Sequence, residues 1–196
     1  ELVEARYANR GLTFVYQREQ LGTGHAVLQA AEAFKGYRGT ILILCGDVPL
    51  LKATTIRELM DSHRASGAAV TVLTTLLEDP FGYGRIVKDA EGNVLGIVEH
   101  RDATEEQGKI REINTGIYCA ENPFLFEAVG EIGNDNAQKE YYFTDIFAIA
   151  RRKGVRTASV VAPDPGEVMG INSQEDLVRA TRIVQQRLTE KLKDSR

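Results

Sequence analysis

Short apolar, β-branched runs alternate along the chain with stretches whose apolar residues recur at helical spacing. Thr40–Cys45 (TILILC) is almost continuously apolar, which suits a central strand covered on both faces, and Pro49 stops it. Ala68–Leu76, Ile113–Ala120 and Val155–Val161 also read as strands, and Thr13–Tyr16 as a short one. Arg85–Lys88 and Val94–Glu99 flank Asp89-Ala90-Glu91-Gly92-Asn93, a hairpin signal. Between these runs lie predicted helices: Glu1–Tyr7, His25–Phe34 and one starting at Thr55 that runs to about Ala65. Thr55 with Glu58 has the form of a capping box, and Asn122-Pro123 that of a cap followed by proline at the first helical position. Phe143–Arg152 reads as a helix stopped by Gly154. A last helix starts at Ser173, with Asp176 three residues on and Leu177, Ala180, Val184 and Leu188 along one stripe. The expected fold is α/β: a Rossmann-like, mostly parallel sheet flanked by helices, with a small antiparallel hairpin inserted. Residues 1–172 form the domain and 173–196 a C-terminal helical arm.

Composition narrows the function. The chain has 196 residues, 43% apolar and 27% charged, as expected of one globular domain rather than a disordered segment. A net charge of −4 argues against nonspecific binding to nucleic acid or membrane, and an anionic protein that handles phosphates must gather positive charge locally or use a metal ion. No apolar stretch reaches the roughly 18 residues of a membrane span, and no signal peptide is visible. Cys45 and Cys119 read as buried thiols of a reducing cytoplasm. The chain opens within a helix and without Met, so further sequence is expected upstream.

Several positions carry candidate chemistry. Asp47 follows an apolar strand, where open α/β sheets bind ligands; it either caps a turn or offers a carboxylate to magnesium. Leu21-Gly22-Thr23-Gly24 before a helix is either a tight turn or a place where backbone N–H groups meet an acceptor-rich ligand. The Gly84 amide can meet a sugar hydroxyl, unless Pro80–Arg85 is merely a strand-entry loop. Glu99 and Asn114, at strand ends, pair acceptor with donor for hydroxyl recognition, though Glu99 equally suits a solvated strand end. Arg85 is the nearest basic residue to these motifs. His25, His63 and His100 share no metal-ligand spacing, His63 falls on a helix surface, and none has a partner for a nucleophilic triad.

Taken in order, the motifs QREQLGTGHA (17–26), GDVPL (46–50), GYGRI (82–86), GIVEHRDAT (96–104), EINTG (112–116), EYYFTD (140–145) and EVMGIN (167–172) resemble one family. It is the uridylyltransferase domain of the bacterial bifunctional N-acetylglucosamine-1-phosphate uridyltransferases/glucosamine-1-phosphate acetyltransferases. The resemblance runs from about Val3 to the final helix and implies the nucleotide-diphospho-sugar transferase fold. By it, Gln17, Gly22 and Thr23 hold uracil, main chain at Cys45 and Gly46 faces the nucleotide, and Asp47 and Asn172 bind Mg2+. Gly84, Glu99 and Asn114 hold N-acetylglucosamine, with Thr144 nearby. The implied substrates are UTP and N-acetylglucosamine 1-phosphate. A phosphate oxygen of the sugar phosphate attacks the α-phosphorus of UTP, and pyrophosphate leaves.

The resemblance further implies a cytoplasmic enzyme that supplies UDP-N-acetylglucosamine for peptidoglycan and lipopolysaccharide precursors, trimeric through a β-helix domain. Two departures stand out. Some members carry an aromatic residue where this chain has Cys45, and the family's opening signature, LxxGxGTRMxSxxPKxL, is not in this sequence. Its arginine and lysine meet the phosphates, so this chain is expected to select base and sugar but to be nearly inactive alone. A sugar-1-phosphate thymidylyltransferase, or a noncatalytic nucleotide-sugar binding module, are the alternative readings.

Overall fold

The computed structural model describes residues 2–194. In chain order the elements are α1 (Leu2–Tyr7), α2 (Thr23–Leu28), β1 (Gly39–Ile43), α3 (Ala53–Ser66), β2 (Val70–Leu76), β3 (Arg85–Lys88), β4 (Val94–Val98), α4 (Glu105–Gly108), β5 (Glu112–Asn122), α5 (Phe124–Val129), α6 (Ile146–Arg152), β6 (Thr157–Val161) and α7 (Gln174–Asp194). They form the expected α/β architecture, a sheet between helices with β3 and β4 as its hairpin. The order is β4-β3-β5-β2-β6, with β1 also on β5. Strands β1, β2, β3 and β6 share one direction, in line with the mostly parallel reading. The sheet is nonetheless mixed, because β5 lies reversed at its centre. Among the described residues β2 with β6 is the sole parallel pair.

The alternation along the strands builds two cores. Val70 and Val72 of β2, with Tyr118 and Ala120 of β5, face α5 and α6, where they meet Leu125, Ala128, Ile146, Phe147 and Ile149. Leu73, Ile117 and Cys119 face the other way, toward Leu59 of α3. Helices as short as α5 and α6 do not persist alone in water, so their buried faces hold them in place, each large side chain contributing about 1.5–3 kcal/mol.

One pairing feature positions the site. β2 fills one edge of β5, while β1 and β3 share the other edge in tandem: Ile43 lies opposite Tyr118 and Arg85 opposite Ile113. Between them, residues 114–117 of β5 have no strand neighbour on that side among the described residues.

The structure corrects several expectations. β1 ends at Ile43, is only partly buried, and pairs with β5 alone among the described residues, so TILILC is not a strand covered on both faces. Thr13–Tyr16 is irregular, and the Tyr16 hydroxyl donates to Glu4. The helix expected over His25–Phe34 divides into α2 and a separate 3-10 turn, Ala31–Phe34. Thr55 does not cap α3. The helix begins at Ala53, and the Thr55 hydroxyl donates to buried Glu167, which also pairs with Lys52 at 2.6 Å. Asn122 does not cap α5 either, since its Nδ2 donates to the Tyr37 carbonyl at 2.6 Å. The capping box is at Thr104 and Gln107, around α4. His63 is buried rather than on the surface, set between Thr71 Oγ1 (2.8 Å) and Glu121 Oε1 (3.0 Å). Cys119 is buried as expected, but Cys45 is exposed.

Ser173 caps α7 through its Oγ, which accepts from the Asp176 N–H at 3.1 Å. Buried Ala180 and a 2.8 Å bond from Arg187 Nη1 to the Leu50 carbonyl hold this helix against the rest. Glu1 of the predicted opening helix and the last two residues of the arm lie outside the described residues. No helix among the described residues is long and apolar enough to cross a membrane.

Candidate active site

A cavity of about 630 Å³ opens where β5 lacks a neighbour, between the end of β1 and the start of β3. β5 is bulged at this point. Leu73 pairs with Ile117 but Thr74 with Asn114, so Thr115 and Gly116 are extra residues. The Thr115 hydroxyl secures the bulge on the Leu73 carbonyl at 2.7 Å. Gly116 has φ 77°, which favours glycine, and a Cβ there would lie 2.7 Å from Cys45 Sγ and push that thiol aside. Bulges re-aim side chains, and this one brings Asn114 to the cavity wall.

On one side stands the turn at residues 21–24, stitched to residues 141–143. Tyr141 N–H donates to the Leu21 carbonyl at 2.8 Å, Gly24 N–H to the Tyr141 carbonyl at 2.7 Å, and Phe143 N–H to Thr23 Oγ1 at 3.0 Å. Gly22 has φ 111°, and a Cβ on it would approach the Tyr141 carbonyl oxygen to 2.7 Å. Of this group Thr23 and Phe143 line the cavity. Gln17 supports the turn from behind, its Nε2 donating to the Gly22 carbonyl at 2.9 Å.

Across the cavity, the chain after β1 meets the segment before α7. Ile171 N–H donates to the Asp47 carbonyl at 2.9 Å. Gly170 lies between the Asp47 and Asn172 side chains. A Cβ there would stand 3.3 Å from Asp47 Oδ2 and 3.4 Å from Asn172 Nδ2. The hollow left by the missing side chain is therefore walled by a carboxylate oxygen, the hard donor that suits Mg2+, and by the Asn172 amide, whose oxygen would face it after a half-turn of the carboxamide.

The third group lies by the hairpin. Glu99 follows β4 and accepts from Thr144 Oγ1 at 3.0 Å. Its Oε2 comes within 3.3 Å of a Cβ built on Gly84. Asn114 donates its N–H to the Gly84 carbonyl at 2.9 Å. Its Oδ1 accepts from the Tyr118 hydroxyl at 2.9 Å and from Gly116 N–H, leaving Nδ2 without a partner among the described residues. Burial raises the Glu99 carboxyl above its ordinary 4.5, the Thr144 bond opposes that shift, and the Asp145 and Asp102 charges add to it.

This shift has opposite consequences for stability and binding. Because the folded state favours protonated Glu99, the residue contributes stability that is full below 4.5 and lost as pH rises through its folded value. A ligand hydroxyl needs the ionised acceptor, so affinity falls as pH drops through that same raised value. Glu99→Gln is expected to weaken a hydroxyl-rich ligand about 10- to 100-fold near neutrality and to flatten the acid limb of its binding profile. Titration at several pH values checks this; an unchanged acid limb rejects it.

The structure thus gathers Thr23, Cys45, Asp47, Gly84, Glu99, Asn114, Thr144 and Asn172 around one cavity, while Gln17, Gly22 and Gly46 stand outside its lining. Arg85 does not join it as a phosphate-facing base, because it is buried and its donors are directed to the Tyr83 and Gly108 carbonyls and to His100. Sequence reasoning missed Tyr118 and Phe143, packed edge to face at 4.8 Å in the wall, and Phe81 at the rim. Only exposed Phe81, in the glycine-bearing segment Pro80–Arg85, carried a signal in the sequence.

Residues 3–166 match the nucleotidyl transferase family. A Geobacter metallireducens protein named bifunctional protein GlmU is 55% identical over 181 residues, covering 92% of this chain and 38% of that one. The Syntrophotalea carbinolica protein of the same name is 52% identical over 192 residues, covering 98% and 41%. The chain therefore spans well under half the length of these curated relatives. The crystal structure of UDP-glucose pyrophosphorylase complexed with UDP-glucose has the same fold, with a TM-score of 0.66 at 17% identity over 89% of this chain and 66% of that one.

Proposed function

The chain belongs to the nucleotidyl transferase family, and on that premise we propose that its cavity binds a uridine nucleotide beside N-acetylglucosamine 1-phosphate. The activity served is uridylyl transfer from UTP to the sugar phosphate, giving UDP-N-acetylglucosamine and pyrophosphate. The observation that carries this reading is the meeting of Asp47 and Asn172 around Gly170, in the same cavity as the hydroxyl-reading set of Glu99, Asn114 and Thr144. The resemblance of the motifs and the relatives named bifunctional protein GlmU support it.

In this reading Thr23, on the turn that Gly22 shapes, receives uracil, and main chain at Cys45 borders the nucleotide, with Gly46 next along the chain. Glu99 accepts from sugar hydroxyls, Asn114 donates its carboxamide, and Gly84 offers its N–H. Asp47 and Asn172 fit a hard cation. No cluster of three or more His, Cys, Asp or Glu side chains is arranged for a metal among the described residues, so the remaining ligands come from water and substrate phosphates. Bound Mg2+ would neutralise charge on the phosphates. The chain's own share is alignment, since in-line displacement at phosphorus needs no protein nucleophile.

The test compares UDP-N-acetylglucosamine with dTDP-glucose by calorimetric titration of the chain, and measures pyrophosphate release from UTP and N-acetylglucosamine 1-phosphate with the full-length protein. Preference for the uridine and N-acetyl ligands is expected in both. Equal or better use of dTTP with glucose 1-phosphate rejects the assignment.

A further inference from the structure

Arg85 opens β3, yet its side chain turns inward and the residue is only 2% exposed. A guanidinium keeps its charge when buried, and removing it from water is costly unless its donors are satisfied. No carboxylate pairs with it among the described residues. Its Nη1 donates to the Tyr83 carbonyl and its Nε to the Gly108 carbonyl at 3.4 Å, while Nη2 stands 3.4 Å from His100 Nδ1. An apolar side chain would fill the space without the desolvation cost, so a fixed charge aimed at loop carbonyls points to control of where those carbonyls face.

The Tyr83 carbonyl shares a planar trans peptide with the Gly84 N–H, and the two point in opposite directions. Holding the oxygen toward the interior guanidinium turns the N–H away from it. The following carbonyl, that of Gly84, is fixed separately by the Asn114 N–H at 2.9 Å. Gly84 lines the cavity in a buried position, and its N–H donates to no group among the described residues. A buried donor without a protein partner beside a cavity is met there by water or by a ligand that displaces it. A charged donor on the carbonyl side also polarises the same amide and strengthens its N–H.

We propose that Arg85 is a positioning residue that orients the Tyr83–Gly84 peptide, so that the Gly84 N–H is presented to a hydroxyl or acetamido oxygen of the sugar. The inference rests on the sugar-binding reading above and assigns Arg85 no contact with phosphate.

Arg85→Met and Arg85→Lys, made in this chain, are titrated with N-acetylglucosamine 1-phosphate and separately with UMP, and the Gly84 amide is followed by backbone NMR without ligand. Arg85→Met is expected to raise the Kd for the sugar phosphate about 10- to 100-fold. Its effect on UMP is expected to stay within about 3-fold, because the two sites do not share the lost bond. The Gly84 amide resonance moves. Arg85→Lys, which keeps one charged donor for Tyr83, gives intermediate values in both readouts. A purely structural role would weaken both ligands together, and that result overturns the proposal. So does an unmoved Gly84 amide in Arg85→Met or, if that variant does not fold, in Arg85→Lys. If the unaltered chain binds UMP but not the sugar phosphate, the sugar reading fails, and the amide shift alone decides the orienting role.

Discussion

Replacing Asp47 by alanine in the full-length protein is expected to lower uridylyl transfer on the order of 10³-fold, the scale of losing a charge-stabilising group at a reacting centre. The loss should appear in kcat rather than in stability. Asp47 is exposed, and its side chain makes no hydrogen bond with a described residue. The tie to the segment before α7 runs through its backbone carbonyl, which alanine retains. Asp47→Asn keeps the shape but halves the oxygen donors, and is expected to fall between the two. Pyrophosphate release at saturating substrates, with thermal melting as the control, measures this. Near-normal turnover in Asp47→Ala removes the carboxylate from the mechanism.

Gly22→Ala is the second large effect. A φ of 111° is strained for any residue with a Cβ, at about 1–3 kcal/mol. The added carbon would also press on backbone, 2.7 Å from the Tyr141 carbonyl oxygen and 2.8 Å from its nitrogen, which cannot swing aside as a side chain can. The melting temperature should fall by roughly 2–4 °C for each kcal/mol. UMP affinity should fall with it, since relief of the clash displaces Thr23. A variant that melts and binds UMP like the parent would show that the turn yields freely.

Short-range patterns were legible where neighbours in sequence decide the outcome. The hairpin of β3 and β4 follows from its turn residues, and Ser173 caps α7 with Asp176 as the spacing requires. Distant partners were not legible. Thr55 has the right spacing to cap, but Glu167 takes its hydroxyl from 112 positions away. His63 looks like a surface residue until Thr71 and Glu121 enclose it. TILILC is apolar enough for a central strand, yet β1 has one described strand partner, which burial pattern alone does not reveal. At the site, residue types pointed to Asp47, Glu99 and Asn114, while their convergence depends on a reversed central strand and its bulge. Arg85 shows the limit most clearly: in sequence it is only the nearest base to the motifs, and its burial against the Tyr83 and Gly108 carbonyls is set by the fold.

The pairing of Cys45 with Gly116 has a practical side. Of the two thiols, only this one is exposed, and it stands on the cavity wall with its Sγ bonded to the Gly116 carbonyl at 3.3 Å. Partial enclosure and the neighbouring Asp47 charge raise the thiol above its ordinary range, so alkylation quickens as pH rises. The molecule thereby carries its own attachment point for a spectroscopic reporter, placed where an arriving occupant alters the probe's surroundings and requiring no engineered residue.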